Sequence, residues 1–238
     1  MPKSIYEDIF QDLKQKIEAK KFENVLPSEN ELIKVYNCSR NTIRRAISKL
    51  TEIGYTQSIH GKGVHIIYSP STMHTQKYFD LSSITGLSES GTKYGFKVEN
   101  QVISFTESIV DEILSKKTGL EINSPIYFFQ RLRYVDGTAK MIDITFLRKD
   151  CVPKITEDIL KGSYFQYIEE HGTTIQTIKR NVTIEKVTKQ DEKYLSLAGY
   201  NCLGVVSSYV YNDCGIQIEF TESRNRPDIF AFYTIASR

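Results

Sequence analysis

The chain has 238 residues, of which 40% are hydrophobic, and its 31 Lys and Arg against 29 Asp and Glu leave a formal net charge of +2. That length accommodates one or two domains with substantial cores. No apolar run nears the ~18 residues of a membrane-spanning helix, and the opening Met1-Pro-Lys-Ser lacks the apolar stretch of a secretion signal. Cys38, Cys151, Cys202 and Cys214 are scattered without a Cys-x-x-Cys pair. The sequence therefore predicts reduced thiols in a cytoplasmic protein, with no metal site and no membrane partner.

Charge is uneven. Residues 1–70 hold 11 basic and 8 acidic residues, and residues 39–70 hold 5 basic against one acid. Residues 71–238 are close to neutral, with 20 basic and 21 acidic. A basic local surface on an otherwise balanced chain points to nucleic acid, the alternative being a solvated charged helix.

Ile5, Ile9, Phe10, Leu13 and Ile17 recur at helical spacing and predict a first helix over residues 4–20. A second begins in Leu26-Pro-Ser-Glu-Asn-Glu-Leu32, where Ser28 stands three residues before Glu31 in the pattern of a capping box. Tyr36-Asn-Cys38 is the turn. A third helix, residues 39–53, opens with a Ser39 cap and buries Ile43, Ala46, Ile47 and Leu50, while Arg40, Asn41, Thr42 and Arg44 suit base edges and phosphates. Gly54 ends it. Residues 55–59 and 64–68 read as short strands around the turn His60-Gly-Lys-Gly63. Together these make a helix-turn-helix with a basic wing. The DNA-binding candidates are Ser28, Ser39, Arg40, Asn41, Thr42, Arg44, His60, Gly61, Lys62 and Gly63.

Residues 69–80 are polar and aperiodic and read as a linker between a domain over 1–68 and one over 81–238. In the second domain, strands are expected over 94–106, 125–134, 139–148, 173–187, 205–211, 216–224 and 229–236. Helices are expected over 107–117, 156–170 and 188–197. Val135-Asp-Gly-Thr138 and Asn212-Asp-Cys-Gly215 are hairpin turns. Hairpins interleaved with helices indicate an α+β fold with a mostly antiparallel sheet. Arg131 and Arg133 lie two apart on a strand and so share one face. Side by side they repel unless an anion separates them, and guanidinium forks suit phosphate. The alternative is a pair of strand arginines bridged to Asp143 or Glu219.

Leu26 to Leu32, residues 39–50 and the turn at 60–63 resemble the GntR winged-helix regulators. Leu81-Ser-Ser-Ile-Thr85, Arg131-Leu-Arg133, Asp143, Ser163 and residues 219–232 resemble the effector-sensing UTRA domain of its HutC subgroup, whose fold is chorismate-lyase-like. The resemblance implies a homodimer on a palindromic operator, switched by a small effector and needing no cofactor. It implies that Ser83, Thr85, Arg131 and Arg133 hold a phosphate, and that Asp143, Ser163 and Glu219 face sugar hydroxyls; for these acids the alternative is a surface pair with a nearby Lys. The implied effector-binding set also includes Ile84 and Asn225, which replace aromatics of some relatives, and Asn30 replaces an Arg. Tyr164, Phe165, Tyr167, Phe230 and Phe232 read as core. The ending over 220–228 is most similar to members governing trehalose use, which implies trehalose 6-phosphate as effector and a repressor relieved by it. Another sugar phosphate or an organic acid stays open, as does a lyase-like enzyme. Against an enzyme stands the lack of any nucleophile-base arrangement, metal motif or phosphate-binding Gly-rich loop. The strands over 205–236 are one candidate dimer surface.

Overall fold

A computed structural model describes residues 5–69, 95 and 97–230, which fall into two compact units, one ending at residue 69 and one spanning 97–230. Residues 70–80 of the expected linker lie outside the described residues, as do Ser83, Ile84, Thr85 and Phe232.

The first unit contains α1 (Ile5–Glu18), α2 (Glu29–Tyr36), α3 (Arg40–Glu52), β1 (Thr56–Ile59) and β2 (Gly63–Ile66). Ile9, Phe10, Leu13 and Ile17 of α1 pack with Leu32 of α2 and with Ile43, Ala46, Ile47 and Leu50 of α3 in one core that Leu26 and Tyr55 complete. Ile5, expected on this stripe, is exposed instead. Being the first residue of α1, it projects beyond the end of the packed face.

The helix ends follow from their capping residues. The Ser28 N–H donates to Glu31 Oε2 at 2.8 Å while the Glu31 N–H donates to Ser28 Oγ, so two orphan amides of the first turn are satisfied together. Asn37 stops α2 in the left-handed region, with φ 45°. Ser39 caps α3 through the Thr42 N–H. At the other end Gly54 takes φ 71°, and the Tyr55 N–H donates to the Leu50 carbonyl at 2.9 Å, the closure a left-handed glycine permits. β1 and β2 pair antiparallel. The hairpin is fastened to the segment before α2 by Leu26 N–H to the Val64 carbonyl and Ile66 N–H to the Asn24 carbonyl.

The second unit is a six-stranded antiparallel sheet in the order β3-β4-β5-β8-β7-β6. Its strands are β3 (Val98–Ile109), β4 (Pro125–Val135), β5 (Thr138–Arg148), β6 (Ile175–Lys186), β7 (Cys202–Asn212) and β8 (Gln217–Asn225). Its helices are α4 (Glu112–Thr118), α5 (Glu157–Lys161), α6 (Tyr164–Glu170) and α7 (Lys189–Tyr194). The β4–β5 turn carries Asp136 and Gly137 at φ 50° and 75°, the paired left-handed residues of a tight hairpin. Cross-strand register sets Arg131 opposite Asp143, Asp143 opposite Ser223, Thr145 opposite Thr221 and Leu147 opposite Glu219. These residues therefore share one sheet face. The same face is roofed by Leu160, Tyr164 and Ile168, which pack on Tyr127, Phe129, Leu147 and Val210.

Three expectations are corrected. Residues 107–109 continue β3, paired to Tyr127, Ile126 and Pro125. The helix starts only after Asp111, whose carboxylate accepts the Leu114 N–H at 2.7 Å. The expected helix over 156–170 is two helices broken at Gly162 and Ser163, because the Ser163 hydroxyl recaps the chain by accepting from the Gln166 N–H. The expected strand from 229 begins otherwise: Pro227–Ile229 is a 3-10 turn with Pro at its start, and residues 231–236 lie outside the described residues.

Candidate functional site

On the first unit, Ser39, Arg40, Asn41 and Arg44 are exposed at the start of α3, and Thr42 is half-buried beside them. The Ser28 hydroxyl is engaged within its own turn, donating to Glu31 Oε2 at 2.7 Å, and Ser39 Oγ lies 2.8 Å from Thr42 Oγ1. His60, Gly61, Lys62 and Gly63 form the exposed hairpin tip. Gly61 and Gly63 take φ 73° and 88°, where side chains are strained, so both glycines shape the loop that presents Lys62. Arg45 is turned away from this surface, its guanidinium 4.1 Å from the Tyr6 ring.

Arg40 and Arg44 make contacts that the sequence did not disclose. Arg44 Nε donates to both carboxylate oxygens of Glu29 at 2.9 and 3.1 Å. Arg40 donates from Nη2 to Asn30 Oδ1 at 2.8 Å and lies 3.8 Å from Glu29.

On the second unit, the polar row under α5 and α6 brings Arg131, Arg133, Asp143 and Glu219 together. Arg131 is 2% exposed. Its Nη2 and the Nε of Arg133 lie 3.4 and 2.6 Å from the same Asp143 oxygen. The other Asp143 oxygen accepts from Ser223 Oγ at 2.6 Å. The bridge to Asp143, one alternative for the arginine pair, is thus present, and among the described residues neither Asp143 nor Glu219 pairs with a Lys. Arg133 Nε faces Asp143 without the alignment of a hydrogen bond, and Arg131 Nε has no hydrogen-bond partner among the described residues. Arg131 also donates to the Leu160 carbonyl and sits 4.6 Å from the Tyr164 ring. Burial, and then the charge of Arg133, lower its pKa.

Glu219 accepts from Tyr164 Oη at 2.9 Å and from Thr221 Oγ1 at 2.7 Å. Burial pushes its carboxyl up to about 7, against the pull of these donors and of Arg131. Burial, with Glu219 alongside, likewise raises the Tyr164 phenol well above its ordinary value. Ser163 sits at the joint between α5 and α6 as the cap of α6. Asn225 lies one row further along the sheet and gives its amide to the Gly204 and Ser223 carbonyls. A Cβ on Gly204 would fall within the Phe230 ring, so that ring is packed directly on β7. Tyr164 is buried and Phe165 and Tyr167 are partly buried against the same core.

Sequence reading missed Tyr164 as a polar partner, Thr221, Ser223 and Asn100. Asn100 pairs in register with Arg133, and its Nδ2 donates to the Lys161 carbonyl at 3.0 Å. Its Oδ1 is buried without a partner among the described residues. Among those residues no acidic, histidine or cysteine cluster could hold a metal, and no helix is long and apolar enough to cross a membrane.

The model for "Bacterial regulatory proteins, gntR family" matches residues 5–66, and that for "UTRA domain" matches residues 93–231. The chain is 31% identical over 233 residues to the HTH-type transcriptional regulator TreR of Bacillus subtilis (strain 168), covering 97% of this chain and 96% of that one. The structure of the effector-binding domain of the B. subtilis trehalose repressor (TreR) is 29% identical, with a TM-score of 0.54, covering 59% of this chain and 98% of that one. The possible transcriptional regulator YydK from B. subtilis subsp. subtilis str. 168 shares the fold at 19% identity, with a TM-score of 0.79 over 99% and 100% of the two chains.

Proposed function

The chain belongs to the GntR family of bacterial regulatory proteins and carries a UTRA domain, and from that premise we propose that it is a cytoplasmic repressor of a sugar-utilisation operon, relieved by a phosphorylated sugar. Trehalose 6-phosphate is the first choice, in keeping with the similarity to TreR. The domain over 1–68 reads a palindromic operator as one half of a homodimer, and the domain over 81–238 takes the effector.

One observation carries the effector reading: two guanidinium groups, one buried and one partly buried, share a single carboxylate, Asp143, on one sheet face. That group of three leaves one positive charge over, which Glu219, its carboxyl pushed up to about 7, only partly offsets near neutral pH, in surroundings where charge interactions are strong. A phosphate dianion bound by Arg131 and Arg133, with Ser83 and Thr85, meets this surplus. Glu219, Asp143 and Ser163 then take the sugar hydroxyls, and Ile84 belongs to the same effector-binding set. Asn225 supports the row through its backbone contacts. Because Arg131 also holds the Leu160 carbonyl, an anion that draws it away loosens the end of α5. A ligand can switch a regulator only by favouring one of its arrangements.

On the DNA side, Arg40, Asn41, Thr42 and Arg44 face bases and phosphates, and His60, Gly61, Lys62 and Gly63 reach the backbone. Ser28 and Ser39 fix the helix starts that aim them.

Isothermal calorimetry with trehalose 6-phosphate, glucose 6-phosphate and free trehalose tests the site. Charge-assisted bonds are roughly twice as strong as neutral ones, so losing the phosphate should weaken binding more than changing the sugar does. Free trehalose binding as tightly as its phosphate, or unchanged affinity in Arg131→Ala and Arg133→Ala, would reject the anion site.

A further inference from the structure

We propose that Glu29 and Asn30, the first residues of α2, are positioning residues for DNA reading. They hold Arg40 and Arg44 of α3 in the arrangement that meets base edges. The inference rests on α3 being the reading helix and goes further, assigning its specificity in part to a neighbouring helix.

The contacts are specific in atom and direction. Glu29 accepts from Arg44 Nε with both oxygens, at 2.9 and 3.1 Å, and lies 3.8 Å from Arg40. Asn30 Oδ1 accepts from Arg40 Nη2 at 2.8 Å. The Arg44 contact uses Nε and so leaves the two Nη groups to fork onto a guanine. The arginine side chains remain 56% and 60% exposed, so both are held yet open to a ligand.

Glu29 is not required for the cap of α2. The capping box is made by Ser28 and Glu31 alone. Nor does Glu29 add to attraction for DNA, because a carboxylate beside phosphates repels them. What it supplies is order. An exposed arginine loses rotamer freedom when it is fixed on a base, and one already held by its neighbour loses less. The amide of Asn30 does the same for Arg40 without charge.

The two effects have opposite signs on the two kinds of DNA, which makes them separable. Removing the Glu29 charge should favour non-specific binding, which is electrostatic. Removing its geometry should weaken binding where Arg40 and Arg44 must meet particular bases.

In the test, the full-length wild-type chain selects its site from a random pool of duplex DNA. Fluorescence anisotropy then measures affinity for the selected duplex and for a scrambled one of equal length, at two salt concentrations. Wild type, Glu29→Gln and Asn30→Ala are compared, with thermal unfolding alongside. Glu29→Gln, which loses the charge and also exchanges one of the two oxygens that accept from Arg44 Nε for an amide NH2 group, should lose about tenfold on the selected duplex and keep or gain affinity on the scrambled one. Asn30→Ala should lose roughly threefold, with relaxed preference confined to the base pair read by Arg40. An unchanged ratio between the two duplexes overturns the proposal, and so does tighter binding of the selected site by both variants. If Glu29→Gln does not fold, the ratio for Asn30→Ala decides. If the wild-type chain selects no site, the reading of α3 falls and takes this proposal with it.

Discussion

Two pairs of arginines stand in different surroundings in this chain. Arg40 and Arg44 stand on a helix surface, more than half exposed, with Glu29 and Asn30 beside them. Arg131 and Arg133 lie under helices α5 and α6, with side-chain exposures of 2% and 11%, and share Asp143. The same guanidinium group is therefore screened and inexpensive in one place and desolvated in the other. Exposed cations suit a partner that is itself a dense line of charge and must be released again. Buried cations suit a small anion that has to be distinguished from water.

The contrast predicts unequal costs. Removing the shared carboxylate, Asp143→Ala, leaves two arginines without their anion and should cost about 3–5 kcal/mol in urea unfolding. Added inorganic phosphate should restore part of the loss. A cost below about 1 kcal/mol would place the row in effective contact with solvent and remove the contrast.

Glu219 sharpens the comparison through pH. In the unfolded chain it ionises near its ordinary 4.5, and in the folded protein only at about 7. Between those values the folded form holds the proton more tightly, so stability falls as pH rises through the window and the penalty is complete above it. The effect is on the order of 3 kcal/mol. Subtracting the pH profile of Glu219→Gln from that of wild type should isolate this slope; parallel profiles would show that Glu219 is not desolvated.

The smallest effect belongs to the exposed pair. Glu29→Gln should cost under ~1 kcal/mol of stability, and less still at high salt, where surface charges are screened. A loss as large as that of Asp143→Ala would mean that Glu29 supports the fold as well as the arginines.

Local chemistry was readable in the sequence where it is decided locally. Ser28 with Glu31, Ser39, Gly54 and Asp136-Gly137 announce helix ends and turns within a few residues, and the structure places each there. The spacing of Arg131 and Arg133 likewise gives a shared face. What stayed hidden depends on pairing over long separations. Ser223 reaches Asp143, and Thr221 reaches Thr145, only because β8 docks on β5 across some 80 and 76 residues. Residues 107–109 resemble a helix start by composition, yet hydrogen bonds to β4 extend the edge strand through them. The break at 162–163 depends on a serine cap that a continuous helical pattern concealed. The hydrogen bond from Arg40 to Asn30 appears only when α2 and α3 are packed together.

Under the proposed function, an anion held by Arg131 and Arg133 controls DNA binding. The most direct measurement is the affinity of the full-length protein for its selected operator duplex as trehalose 6-phosphate is titrated in, for wild type and for Arg133→Ala. Operator affinity should fall at least about tenfold in wild type, a coupling within the usual range for allosteric regulators, and should not change in the variant or with free trehalose. Undiminished operator affinity in wild type, at effector concentrations where calorimetry shows the site filled, would contradict it.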